Sequence, residues 1–144
     1  RNGRLAGYVS SPVKVLAYSQ YEAQDIALLE IARDWRFPDG ARFDARRLQQ
    51  GETVHHVGSF YGPEVGHAYS RGAVAGVYRR WRGQFYDVVT ICVRRGASGA
   101  GIFDARGRYV GMFTRGHGCN LALCVPARRI RAWLGAVGYL WVVD

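Results

Sequence analysis

The apolar residues of this chain come in short runs, each stopped within roughly four to eight positions by glycine or by charge, as strands require. Val13 to Tyr18 alternates loosely, and Ile26 to Ile31 reads as a second, largely buried strand. Thr53 to Phe60, Ala73 to Tyr78 and Val88 to Val93 follow. Ile102-Phe103 and Tyr109 to Thr114 flank Asp104-Ala105-Arg106-Gly107, a hairpin signal, and Leu121 to Val125 is the last clear run. Nineteen glycines in 144 residues supply the sharp corners that closed sheets need. Phe37 to Gln50 is the longest irregular connection.

After Pro126 the period changes. Ile130, Trp133, Leu134 and Val137 fall on one face of a helix, Arg128, Arg129 and Arg131 fall on the other, and Gly138 ends it. The final Gly-Tyr-Leu-Trp-Val-Val-Asp reads as one extra strand. The fold class is therefore all-β, a closed barrel or sandwich, with a C-terminal helix. A content of 49% hydrophobic and 13% aromatic residues excludes disorder. Mean hydropathy is −0.14, and no apolar run is long enough for a membrane span.

Twenty basic residues against eleven acidic ones give a net charge of +9, and Lys14 is the only lysine. Arginine forks match phosphate and carboxylate geometry, so a nucleic acid is a candidate partner beside a solvated surface. Three clusters stand out: Arg46-Arg47, Arg79-Arg80-Arg82 around Trp81, and Arg94-Arg95. Cys92, Cys119 and Cys124 are too few for a disulfide framework or a zinc site, although a Cys92–Cys119 bridge is one pairing they allow.

Gly96-Ala97-Ser98-Gly99-Ala100-Gly101 places a serine between glycines on a short loop between strands. Small neighbours let a substrate backbone approach, and the amides of Gly96 and Ser98 can converge on one developing oxyanion. Asp25 stands immediately before Ile26-Ala27-Leu28-Leu29, where an acid could orient a histidine; a turn or capping role is the plainer alternative.

The order and surroundings of these segments resemble the chymotrypsin-fold serine proteases, most closely the trypsin-like peptidases of the HtrA/Deg type. DIALLEI from Asp25 resembles the catalytic-aspartate segment, and GETVHHVGSFYG from Gly51 resembles the strand and turn that open the second barrel. SRGAVAGV from Ser70, GASGAGIFDARGRYVGMFTRG from Gly96 and CVPARRIRAWL from Cys124 follow in the family's order. The resemblance implies a chymotrypsin-like double β-barrel with an incomplete first barrel, within a single trypsin-like peptidase domain. Residues 1–50 would be the remainder of the N-terminal barrel and the connection, 51–125 the C-terminal barrel and 126–138 the helix.

It also implies a serine endopeptidase. Ser98 would be the nucleophile, Asp25 the acid, and the Gly96 and Ser98 amides the oxyanion hole. Cys92, Arg94, Arg95, Thr114, Gly116 and His117 would border the substrate pocket. The substrate would be a protein or peptide, with no metal or cofactor. The chain departs from the family at Ala97, where Asp or Asn is usual, and at Ala100-Gly101, where Gly-Pro is common. The family's histidine precedes its aspartate, whereas His55, His56, His67 and His117 all follow Asp25. His55 and His56 occupy adjacent strand positions and so face opposite ways. The base is expected upstream of Arg1, itself not a methionine, or on a second chain. The alternative is a catalytically inactive protease-like module that binds protein or nucleic acid, for example in a larger assembly or virus particle.

Overall fold

The structure, a computed structural model, describes residues 11–32, 40–62, 66–116 and 118–144. The chain forms two compact units, residues 1–40 and 41–144.

In the first unit, β1 (Val13–Tyr18) pairs antiparallel with β2 (Ala27–Ile31), with a register slip between Val15 and Ala17. The connecting turn is closed by the Ser19 amide, which donates to the Ile26 carbonyl at 2.9 Å. The run expected to be a largely buried strand is not. Ile26 is buried, but Leu29 and Ile31 are exposed, as are Val13 and Val15 across the pair. Two strands alone can cover little of their own apolar surface.

The second unit is a closed barrel of six antiparallel strands in the order β3-β4-β5-β8-β7-β6. These are β3 (Thr53–Ser59), β4 (His67–Trp81), β5 (Gln84–Val89), β6 (Gly101–Asp104), β7 (Tyr109–Arg115) and β8 (Ala122–Pro126). Because β6 returns beside β3, strands β3 to β6 form a Greek key, and closure leaves no free sheet edge. Inward positions supply the core: Val54, Val74, Val89, Ile102, Val110, Phe113 and Cys124, joined by Ile91, Val93 and Ala97 from the segment after β5. Val88 to Val93 was expected as one strand, yet β5 ends at Val89. Ile91 and Val93 are buried without belonging to a strand, Val93 making an isolated bridge to Gly118.

β4 carries register shifts between Val74 and Gly76 and between Gly76 and Arg79, with Tyr78 at φ +57°. Such bulges bend a strand and re-aim its side chains. The β4–β5 hairpin turns through Arg82 (φ +47°) and Gly83 (φ +80°), the left-handed pair of a two-residue turn. An arginine there costs about 1 kcal/mol relative to glycine or asparagine.

The helix α1 (Ala127–Ala136) buries Ala127, Ile130, Trp133 and Leu134. The Gly138 amide donates to Gly135 and the Tyr139 amide to Leu134, which closes its C-terminus as a Schellman motif. Its arginines are not simply turned to water. Arg128 forks onto Asp87 (2.7 and 3.1 Å), Arg129 donates to the Phe85 carbonyl (2.9 Å), and Arg131 pairs with Asp144 (2.6 Å). The terminal residues read as an extra strand instead form a 3-10 turn, Leu140–Val142.

Candidate active site

Ser98 lies on the connection from β5 to β6, which is built as two successive turns sharing Ala97. The Ala97 amide donates to the Arg94 carbonyl (3.1 Å), and the Ala100 amide to the Ala97 carbonyl (3.0 Å). The third residue of each turn has positive φ, Gly96 at +100° and Gly99 at +89°, which is why glycine stands at both places. Ser98 is therefore the second residue of a turn, with its side chain exposed, while Ala97 is fully buried in the core.

The loop is fixed from both sides. The Tyr61 amide donates to the Arg95 carbonyl (2.8 Å), and a Cβ on Gly96 would stand only 2.9 Å from the Ser59 oxygen. On the other side Gly99 donates to Phe113 and Phe113 to Ala100, both at 2.9 Å, stitching the second turn to β7. The amides of Gly96 and Ser98 donate to no acceptor among the described residues, although those of Ala97 and Gly99 do. An oxyanion hole needs two such donors aimed at one point. The Ser98 hydroxyl donates to the Thr114 carbonyl (3.3 Å).

The expected pocket residues fall on two segments that the structure brings together. Val93 and Gly118 exchange backbone hydrogen bonds (2.8 and 3.2 Å), and Cys92 is disulfide-bonded to Cys119. Arg94 and Arg95 lead from the first segment into the serine loop; Thr114 and Gly116 lie on the second. Arg94 folds back onto the Val93 carbonyl (3.1 Å), and Arg95 is exposed. His117 lies outside the described residues. Cys124 is the free cysteine, buried, and burial pushes its thiol above the ordinary range.

In the other unit, Asp25 occupies the left-handed region (φ +55°) just before β2, its amide donating to the Gln20 carbonyl at 3.3 Å. Polar residues adopt that conformation more readily than most, so the position suits aspartate in its own right.

His55 and His56 do point opposite ways. His55 hydrogen-bonds the Tyr69 hydroxyl (2.7 Å), and His67 opens β4, exposed. His56 was overlooked as part of this region. It is fully buried, its ring 5.9 Å from Phe60 and 6.0 Å from Phe113, and neither ring nitrogen has a hydrogen-bond partner among the described residues. A Cβ added to Gly58 would lie 2.9 Å from both the His56 ring and Ala100, so this ring underlies the serine loop. Burial lowers its pKa and so favours its neutral form.

A cleft of about 350 Å³ lies elsewhere on the barrel, lined by Arg46, Glu52, Thr53, Asp104, Ala105, Arg106 and Arg108. Its charges satisfy one another. Arg46 forks onto Glu52 (2.8 and 3.0 Å), and Arg108 bridges Asp44 (2.8 Å) and Asp104 (2.7 Å). Burial pushes the Asp104 pKa up, but bonds from the Arg108 and Arg106 amides and the Arg108 guanidinium outweigh it and leave the pKa at about 2. Among the described residues no group of three or more His, Cys, Asp or Glu side chains is placed to hold a metal, and no helix is long and apolar enough to cross a membrane.

Residues 2–112 match the trypsin-like peptidase domain family. The chain belongs to that family. Among solved structures this peptidase domain is similar to Rv3671c from M. tuberculosis H37Rv, crystallised as a serine-to-alanine mutant in an inactive form. The TM-score is 0.71 at 16% identity, over 89% of this chain and 65% of the other. A third of that protein thus has no counterpart here, and the likeness is one of fold. The closed barrel, second sheet and C-terminal helix give the peptidase domain the architecture of the chymotrypsin-like double β-barrel. No curated protein matches the chain.

Proposed function

We propose that this peptidase domain is a serine endopeptidase that works through an acyl-enzyme on Ser98. The observation that carries the reading is the pair of unspent amides, Gly96 and Ser98, on a loop whose serine is exposed. Ser98 Oγ attacks the peptide carbonyl and gives its proton to a histidine, and the carbonyl oxygen, now negative, is received by the two amides. The histidine returns the proton to the leaving amine, and water then repeats the sequence on the ester. Asp25 orients the histidine, which comes from sequence upstream of Arg1 or from a second chain. Cys92, Arg94, Arg95, Thr114, Gly116 and His117 border the pocket, and the substrate is a protein or peptide.

A second reading, a protease-like module that has lost catalysis and binds a macromolecule, is favoured by one observation: the Ser98 hydroxyl donates to Thr114 rather than to a histidine. A fluorophosphonate probe separates the two. Peptide mapping is expected to find the adduct on Ser98, in the chain itself or once it is extended upstream, and Ser98→Ala is expected to abolish it. No adduct in either form would leave the binding module standing.

A further inference from the structure

The charge of this chain is unevenly placed. Residues 1–40 hold five basic and five acidic side chains, whereas residues 41–144 hold fifteen arginines, no lysine and only six carboxylate side chains. Five of those six are engaged: Asp44, Glu52 and Asp104 by Arg46 and Arg108, Asp87 by Arg128, and Asp144 by Arg131. The barrel has almost no carboxylate left to offer its remaining arginines.

Several of these converge on the β4–β5 hairpin. Arg79, Arg80 and Arg82 are exposed there, and Arg82 sits at the turn in a left-handed conformation that local preference would give to glycine or asparagine. Departures from local preference of this kind gather at functional surfaces. The hairpin is also an aromatic ladder. Tyr78 stacks on Phe85 at 4.0 Å, and Trp81 meets Tyr86 edge-on at 6.1 Å. Guanidinium groups from three elements lie over these rings: Arg82 and Arg115 over Trp81 (4.6 and 4.9 Å), Arg128 over Tyr78 (5.7 Å) and Arg129 over Tyr86 (4.7 Å). Arg128 is already committed to Asp87 and Arg129 to the Phe85 carbonyl, so these two brace the rings. The exposed Arg82, a planar cation held on Trp81, loses little side-chain freedom when its N–H edge meets an anion.

We propose that the β4–β5 hairpin is a binding surface for single-stranded nucleic acid, with Arg79, Arg80 and Arg82 contacting phosphates. Tyr78, 53% accessible, stacks one face on Phe85 and leaves a ring edge that can meet the face of an unpaired base, which a duplex would keep stacked inside itself. This surface does not depend on whether Ser98 is catalytic.

The test is fluorescence anisotropy of the whole chain with a labelled oligothymidylate or oligouridylate of about fifteen nucleotides, across a salt series. Three phosphate contacts predict a log K against log salt slope of about −2. Combined Arg79→Ala, Arg80→Ala and Arg82→Ala is expected to weaken binding at least tenfold and remove most of that slope. A control of equal charge, Arg47→Ala with Arg71→Ala and Arg106→Ala, is expected to change affinity less than threefold. Thermal melting of both triple variants shows that loss of binding is not loss of fold. The proposal is overturned if the oligonucleotides do not bind at low salt or if the two triple variants lose affinity equally. Tighter binding of a duplex of the same length, or of polyglutamate at equal charge, overturns it as well.

Discussion

Gly96 shows how much of the site rests on single positions. Its φ of +100° is one that a side chain resists, and an added Cβ would press on the Ser59 carbonyl at 2.9 Å and the Tyr61 amide at 3.2 Å. Both neighbours are backbone and cannot swing aside. Gly96→Ala is expected to cost about 1–3 kcal/mol in urea unfolding and to slow fluorophosphonate labelling of Ser98 at least tenfold, since the loop must shift to admit the methyl group. Ser98 and its glycines were legible because turn chemistry writes itself into residue type. His56 was not. Strand alternation told that it faces away from His55, but that it is the inward one, with Ala100 and Phe113 closing over it, depends on partners 44 and 57 positions away.

Elements were readable where apolar rhythm and turn signals agreed. The hairpin through Asp104-Ala105-Arg106-Gly107 and the helix after Pro126 appear within a residue or two of their expected limits. Where rhythm stood alone it misled. Ile91 and Val93 continue the apolar run of β5 because the core needs them, not because a strand does; a short apolar run cannot distinguish the two. The first half of β4 was missed because Ser70 and Arg71 interrupt its pattern. Tyr139 to Val143 has strong strand propensity, yet it follows a Schellman cap that turns the chain, and propensity yields to that context. The Cys92–Cys119 bond joins the two segments proposed to border the pocket, across 27 positions. Closing a loop of that size contributes roughly 3.5 kcal/mol in the chain-entropy picture. Replacing both cysteines by serine is expected to lower stability by about 2–4 kcal/mol in urea, and to slow Ser98 labelling because one segment is then free to move against the other.

For the whole molecule, pH separates two sets of buried groups. His56 has a folded pKa below its unfolded one, so the unfolded chain binds the extra proton. Its contribution is fully present above about pH 6.5 and is lost as pH falls below that, by up to roughly 1.4 kcal/mol per unit. Hydrogen bonding from Arg46 lowers Glu52, and Asp104 sits at about 2, so their contributions are lost only further into acid, below the ordinary carboxylate range. Urea midpoints are expected to decline between pH 7 and 5, and His56→Leu is expected to flatten that decline while leaving the acid limb unchanged. The family resemblance implied the closed barrel, and Arg79, Arg80 and Arg82 around Trp81 were visible as a cluster in the sequence, whereas the approach of Arg115, Arg128 and Arg129 to the same hairpin rings required the fold. Ala97 carries a different lesson. Its methyl group fills the core, and the features around it that suit acyl chemistry are main-chain amides and turn angles. Residue 97 can therefore drift among small side chains without disturbing them. A lineage free to change its letters in this way grows hard to find by comparing letters, while the shape that serves the chemistry stays put.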